Sequence, residues 1–324
     1  MTEDTNLVSL IERFGSEGRC RTYLEELRWP DGPECPRCGD YTTISRIKTR
    51  DQYECDACRY QFSVTAGTLI HDSHLPLWKW FLAVYLVCES EKGISAKQLQ
   101  RMLKVSYKTA WYLSHRIRDA MGEGQQPLLT GTVEVDETYV GGKRKGYGSG
   151  YRGNKVVIAG AIERGGEIRL RLVPNSRRHN LEGFITASVD DEAAIYTDEL
   201  PSYEGISGRH HQTIKHKDEE WVRGNVHTNT VESARSLLKC SVVGTYHHMS
   251  VKHLPAYLDE MEWRFNNREN PYLFRDTLLM LLHGDALPYT VLIERDDPGE
   301  RQRENDALIR REAKRQARRS GYAQ

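Results

Sequence analysis

Two pairs of cysteines near the start of the chain constrain its fold more than any other feature. Cys35, Cys38, Cys55 and Cys58 are spaced as CxxC, sixteen residues, CxxC. Four thiolates at this spacing suit a tetrahedral zinc ion held between two short turns. The intervening residues alternate enough for a short hairpin, and a segment this small needs a metal to stabilise its fold. The spacing therefore predicts a zinc ribbon with one structural zinc; two unrelated CxxC pairs or redox thiols are the alternative.

The length of the chain indicates how many domains to expect, whereas its net charge does not indicate a class of partner. A chain of 324 residues is expected to form two or three domains. The 46 basic and 46 acidic residues cancel, so net charge points to no class of partner. The sequence contains no apolar run long enough for a membrane span, and its acidic, mixed start MTEDTNLVSLIERFGSEG is unlike a secretory signal. We expect a cytoplasmic protein without a membrane span.

Helical patterns flank the cysteines. Residues 1–30 predict a helical lead-in, and residues 75–121 predict a core helix followed by a helix-turn-helix with Ser106 as a helix cap. Between Ile94 and Arg118 there are six basic residues and no acidic one, which favours DNA binding over a solvated helical hairpin. The basic residues are Lys97, Arg101, Lys104, Lys108, Arg116 and Arg118, and Tyr107, Lys108 and Thr109 begin the helix that would meet base edges.

A strand-rich pattern follows a linker at residues 121–131. The strand TVEVDETYVGG precedes two more strands, a helix, a fourth strand AAIYTDEL and a possible fifth strand HQTIKHK. A closing helix, HTNTVESARSLLK, comes next. This order resembles the ribonuclease H-like fold, so we expect a multidomain α/β protein in which a mixed sheet with flanking helices forms the last large domain.

Three acidic residues would meet at one edge of this sheet. Asp136 and Asp198 lie near the ends of two predicted central strands, and Glu232 lies on the closing helix. Converging carboxylates repel one another unless divalent cations lie between them, and oxygen ligands favour Mg²⁺ or Mn²⁺ over zinc. Two such ions about 4 Å apart suit phosphodiester chemistry. Lys239, two turns beyond Glu232 on the same helix face, would point at DNA over the site.

Neighbouring residues compete for these roles. Glu134 shares a strand face with Asp136, whereas alternation directs Glu137 to the opposite face. Asn229, three residues before Glu232, is the second choice for the third acidic position, or a helix cap.

Seven motifs together carry a family resemblance. They run from about Cys35 to Asn267 and read ECPRCG, YECDACRYQFSVTAGT, VEVDETYVGGK, YTDEL, HTNTVES with SLLK, VGTYHHMS and WRFNNR. The sequence resembles bacterial insertion-sequence transposases of the DDE type, in the subgroup with an N-terminal zinc ribbon. Asp136, Asp198 and Glu232 fall at the family's acidic triad, and Lys239 completes its Glu-x6-Lys element.

The resemblance implies a recombinase that binds the inverted-repeat ends of its element. It would hydrolyse a phosphodiester at each end and join the freed 3′-hydroxyl to target DNA, with two Mg²⁺ or Mn²⁺ ions per active site and no covalent enzyme intermediate. The expected partners are DNA ends, target DNA and a second copy of the chain at the nucleoid; no small-molecule substrate is implied. The alternatives are a DNA-binding regulator with an inactive nuclease-like domain, or a ribonuclease H-like nuclease.

The sequence departs from the family at two places. They are Ala234-Arg235, where bulky aromatic residues are more common, and Cys240, where a basic residue is common.

The expected domains are a helical lead-in (1–30), a zinc ribbon (31–70), a helix-turn-helix (75–121), a catalytic domain (130–270) and a helical region with a basic tail (271–324).

Overall fold

The computed structural model describes residues 6–122, 126–141, 155–203, 210–214, 227–246 and 249–294. Its helices are α1 (Leu7–Phe14), α2 (Glu17–Arg28), α3 (Leu77–Cys88), α4 (Ala96–Leu103), α5 (Tyr107–Gly122), α6 (Arg178–Ser188), α7 (Asn229–Cys240), α8 (Leu254–Asn266), α9 (Leu273–His283) and α10 (Tyr289–Ile293). Its strands are β1 (Ile44–Ile47), β2 (Gln52–Cys55), β3 (Gln61–Phe62), β4 (Thr132–Val140), β5 (Val156–Glu163), β6 (Ile168–Val173), β7 (Ala194–Thr197) and β8 (His210–Thr213).

The basic tail from Arg301 lies outside these ranges, and so do the basic, glycine-rich segment at 143–154 and His247-His248 of the motif VGTYHHMS. Within the described ranges, no helix combines the length and apolar character that crossing a bilayer requires.

The N-terminal helices share one apolar core with a helix from the far end of the chain. Phe14 of α1, Phe81 of α3 and Phe274 of α9 meet there, and the Phe81 and Phe274 ring centroids are 5.8 Å apart. Thus α9, which the sequence assigned to the C-terminal region, packs among α1 to α5.

The predicted helix-turn-helix is present as α4 and α5. Lys104 ends α4 in the left-handed conformation with φ 50°. Ser106 Oγ then accepts a hydrogen bond from the backbone nitrogen of Thr109 at 3.0 Å, as expected of a helix cap. The sharp turn therefore results from one left-handed residue followed by one capping hydroxyl.

The cysteine-containing segment folds as a small antiparallel sheet in the order β1-β2-β3. Its core is small: Tyr53 and Phe62 stack against each other and meet the edge of Trp29, which follows α2. So little buried apolar area is expected to need a metal for stability.

The large sheet has the strand order β6-β5-β4-β7-β8. β4 is antiparallel to β5 and parallel to β7, and β7 is parallel to β8. Val133 and Val135 of β4 face the core beneath α6, whereas α7 and α8 cover the other face of the sheet. The order of strands and helices agrees with the expected ribonuclease H-like plan.

Candidate active site

Two turns of the same geometry present the four cysteines. Gly39 N donates to Cys35 O at 2.9 Å, and Arg59 N donates to Cys55 O at 2.8 Å. Gly39 and Arg59 both have positive φ, 73° and 57°, so each CxxC pair closes on a left-handed residue. The chain thus forms two equivalent knuckles that face each other.

The sulfur atoms are spaced for one tetrahedral metal ion. Cys35 Sγ lies 3.7 Å from Cys58 Sγ, and Cys38 Sγ lies 3.6 Å from Cys55 Sγ. All four lie within 4.8 Å of one another. A tetrahedron with zinc–sulfur bonds of about 2.3 Å has edges of about 3.8 Å. The cluster therefore fits zinc well.

The sheet brings Asp136 and Asp198 together, as the sequence predicted. β4 and β7 run parallel, and Val135 is the register partner of Thr197. Asp136 and Asp198 follow these partners at the same edge. Carboxylate oxygens of Asp136, Glu137 and Asp198 all lie within 4.8 Å of one another.

Glu137 is an addition that alternation alone did not predict. β7 ends at Thr197, whereas β4 continues to Val140 paired with β5 alone, so no β7 residue lies alongside Glu137. A side chain on the opposite face of β4 can therefore still approach Asp198 around the end of the shorter strand. The consecutive acids Asp136-Glu137 were the signal that could have found it.

The electrostatics of the cluster favour a cation. Burial first, and then the nearby carboxylates of Asp198 and Asp136, raise the pKa of Glu137 to about 7. Tyr203 donates its hydroxyl to Glu137 Oε2 at 3.0 Å, and burial raises the pKa of that phenol as well. Three carboxylates this close repel one another, and they match the donor set that a hard divalent ion takes.

Helix α7 packs beside Asp136 on the other face of β4 and carries the third predicted residue. Glu232 is exposed in its first turn, where its Oε1 accepts a hydrogen bond from Thr228 Oγ1 at 3.2 Å. Among the described residues, the group of oxygens within 4.8 Å contains Asp136, Glu137 and Asp198 and leaves Glu232 outside. Asn229, the second choice, is exposed at the first residue of α7.

The nearest partner of Asp136 on α7 is a cation. Arg235 Nη1 lies 2.7 Å from Asp136 Oδ2. Although burial opposes its charge, the hydrogen bond to Asp136 and the charges of Asp136 and Glu232 raise the pKa of Arg235. In the sequence, Arg235 stands out only as a departure from the family pattern. Lys239, exposed in the last turn, lies close enough to interact electrostatically with both Arg235 and Asp136.

The helix-turn-helix presents part of the predicted basic surface. The exposed members are Lys97, Arg101, Lys104, Tyr107 and Lys108, and Thr109 is half-buried. The structure corrects the prediction for the other two cations. Arg116 is buried and donates to the backbone oxygen of His71 at 3.0 Å, and Arg118 is buried against Glu260 at 2.6 Å. Glu260 of α8 pairs with Arg118, whereas Arg116 packs against His71 and the ring of Trp80 in α3.

The chain matches known protein families in both of these regions. Residues 15–61 match the model of the transposase zinc-ribbon domain, which includes the four cysteines. Residues 128–266 match the model of the ISXO2-like transposase domain, which includes Asp136, Asp198 and Glu232. The chain is also 30% identical over 250 residues to an uncharacterized protein in transposable element ISH50 of Halobacterium salinarum, a match that covers 71% of this chain and 84% of that protein. The knuckles, the sheet order and these matches agree, and the chain belongs to the ISXO2-like transposases.

Proposed function

We propose that this protein is a DDE transposase that cleaves the inverted-repeat ends of its element and joins them to target DNA with the help of divalent metal ions. The observation that carries the proposal is the meeting of Asp136 and Asp198 at the ends of two adjacent parallel strands, with Glu137 within 4.8 Å of both. A metal-dependent site needs such a cluster, and the family match supplies the reaction class.

The metal ligands in this proposal are Asp136, Asp198 and Glu232. Bound Mg²⁺ or Mn²⁺ would activate the attacking oxygen and stabilise the leaving oxygen of the phosphodiester. The chain itself supplies the oxygen ligands and, on α7, the cations Arg235 and Lys239 beside them. These cations would hold the DNA phosphate in place, and Arg235 would leave Asp136 as that carboxylate takes up metal.

DNA recognition in this proposal belongs to the helix-turn-helix. The exposed side chains of Lys97, Arg101, Lys104 and Lys108 lie on one unit with Tyr107 at the start of α5. Cations there would neutralise phosphates, and the first turn of α5 would meet base edges. The cysteine cluster would hold a structural zinc that shapes the ribbon next to this unit.

The assembly on DNA would contain at least two copies, because transposition brings two ends together. A chain that acts on chromosomal DNA would work in the cytoplasm at the nucleoid. Light scattering of the complex with paired ends tests the stoichiometry, and a complex with one chain for two ends would contradict it.

The decisive experiment uses the inverted repeats that the proposal expects on either side of the gene. A labelled duplex with one such end is incubated with protein and Mg²⁺, and nicked product and joining to a plasmid are measured. Asp136→Ala, Asp198→Ala and Glu232→Ala should each abolish both products, whereas Glu192→Ala, which removes an exposed acid outside the cluster, should not.

Two results would reject the proposal. Products that are the same for the wild-type protein and Asp136→Ala would leave a DNA-binding regulator. Cleavage without joining to the plasmid would instead indicate a nuclease.

A further inference from the structure

Glu134 is a fully buried acid two residues before Asp136 on β4, and so on the same face of the strand. An ionised carboxylate in such a place is costly unless charged or polar donors surround it. Glu134 has these donors. Arg164 Nε donates to its Oε1 at 2.7 Å. His227 Nδ1 lies 3.2 Å from the same oxygen but makes no hydrogen bond to it.

The remaining donors come from the start of α7. The backbone nitrogens of Thr230 and Val231 donate to Glu134 Oε2 at 2.8 and 3.0 Å, and the Thr230 hydroxyl donates to Oε1 at 3.0 Å. These amides belong to the first turn of α7, which leaves its nitrogens without partners in the helix itself. Glu134 therefore caps α7 from another element.

The helix has no such cap of its own. Thr228 precedes α7 but makes no side-chain hydrogen bond to the first-turn amides, and its hydroxyl donates to Glu232 instead. The negative charge of Glu134 also stabilises this end of the helix, because it interacts favourably with the partial positive charge of the helix dipole. Arg164 strengthens the attachment of α7 to β4, because its Nε donates to Glu134 and its Nη2 donates to His227 O, just before the helix, at 3.0 Å.

We propose that Glu134 is a positioning residue that fixes α7 against β4 and so sets Glu232 and Lys239 in register with Asp136. One face of one strand then holds both a metal ligand and the anchor of the helix that carries the third ligand. Glu134 is itself no ligand, since four hydrogen-bond donors occupy its two oxygens. The inference rests on the proposed function for the roles of Glu232 and Lys239, whereas the anchor rests on the contacts alone.

The test compares Glu134→Gln with Glu167→Gln. Both remove a charge that pairs with an arginine of the β5–β6 hairpin, Arg164 or Arg169, but the Glu167 pair makes no described contact with α7. In Glu134→Gln, amide hydrogen exchange of Thr230 and Val231 should become faster. The affinity for Mg²⁺ measured by calorimetry without DNA, and kcat for end cleavage, should both fall by about 10- to 100-fold, the usual loss for a residue that orients metal ligands. KM for DNA should stay within about twofold, since the helix-turn-helix is untouched.

Several outcomes separate the possibilities. A lower thermal stability of Glu134→Gln with unchanged Mg²⁺ affinity and kcat would overturn the positioning role, and so would effects equal to those of Glu167→Gln. If Glu134→Gln does not fold, Arg164→Gln, which leaves the carboxylate but removes its cation, should show the same losses in weaker form. If the wild-type protein fails to cleave end DNA, the proposed function fails, while hydrogen exchange at Thr230 and Val231 still decides whether Glu134 anchors the helix.

Discussion

Arg235 Nη1 lies 2.7 Å from Asp136 Oδ2 and occupies the carboxylate that the proposed function assigns to a metal. A guanidinium and a divalent cation cannot both neutralise that oxygen, so they compete. Arg235→Gln should therefore tighten Mn²⁺ or Mg²⁺ binding without DNA by roughly three- to tenfold, the range expected for a pair that is partly exposed to solvent.

Calorimetric titration measures this change, and low ionic strength should enlarge it. Arg275→Gln is the matched control, because Arg275 has a similar exposure, 38% against 40%, and also pairs with a carboxylate at 2.8 Å, that of Asp276. An unchanged metal affinity in Arg235→Gln would mean that Arg235 does not compete with the metal ion for Asp136.

The cysteine cluster should bind a single zinc ion that stabilises the ribbon. Cys38→Ser should lose the metal and lower the thermal stability of the protein, because its sulfur is one corner of the tetrahedron. Cys240→Ser is the control, since both cysteines are exposed and Cys240 lies outside the cluster. Elemental analysis and thermal unfolding measure the two effects, and full zinc content in Cys38→Ser would refute the assignment.

Affinity for DNA should depend on the exposed cations of the helix-turn-helix. Changing Lys97, Arg101 and Lys108 together to Gln should reduce the slope of log affinity against log salt by about 3, roughly one unit for each phosphate that is no longer neutralised. Fluorescence anisotropy at several salt concentrations measures the slope. Arg178→Gln, an exposed cation on α6, should leave it unchanged. Equal slopes for the wild type, the triple variant and Arg178→Gln would mean that DNA binds to a surface other than the helix-turn-helix.

Stability should decrease between pH 5 and pH 8 because of Glu262. Burial is the main cause that raises the pKa of this acid from 4.5 to about 7, although Leu170 N donates to its Oε2 at 2.8 Å. The folded state then holds a proton that the unfolded state releases, so the contribution is complete below about pH 4.5 and is lost as the pH rises through about 7. The loss amounts to at most about 3 kcal/mol.

Glu262→Gln keeps an oxygen for Leu170 and removes the titration. Its free energy of unfolding, measured with denaturant at pH 5 and pH 8, should therefore change less with pH than that of the wild-type protein. Glu192→Gln, at an exposed position, should behave like the wild type. A wild-type stability that rises over this range would contradict the assignment.

The buried pair Arg118–Glu260 should couple α5 to α8. Glu260 accepts from Arg118 Nε and from the Tyr246 hydroxyl, both at 2.6 Å, and Arg264 Nη2 lies 3.3 Å away. Glu260→Gln leaves two arginines with less compensation and should cost about 3–5 kcal/mol. In a double-mutant cycle with Arg118→Met, the combined loss should be smaller than the sum of the single losses. Additive losses would mean that the pair contributes no coupling.

The parts of the site that the sequence predicted are those that local rules control. Strand alternation and parallel pairing put Asp136 and Asp198 at one edge, and the spacing of the cysteines put four sulfurs around one point. The sequence did not predict that Glu137 joins the cluster, because its position depends on β7 being shorter than β4, and no local pattern encodes that difference.

The burial of two cations of the helix-turn-helix was not predicted for a related reason. Arg116 and Arg118 look like surface cations when α5 is considered alone, but Arg116 packs against His71 and Trp80, and Arg118 pairs with Glu260 of α8, 142 residues later. Arg235 and Glu134 likewise gain their roles from partners almost a hundred residues away in the chain, Asp136 and Thr230. Tertiary packing, rather than propensity, decides these contacts.

The return of α9 to the first helices has a consequence for synthesis on the ribosome. Phe274 and Leu278 close an apolar surface that Phe14 and Phe81 leave open until α9 has emerged. The helical domain formed by α1 to α5 is therefore translated first but completed last. A nascent or truncated chain without α9 would expose this surface to chaperones and proteases, so that intact copies of this domain would come mainly from chains that include α9.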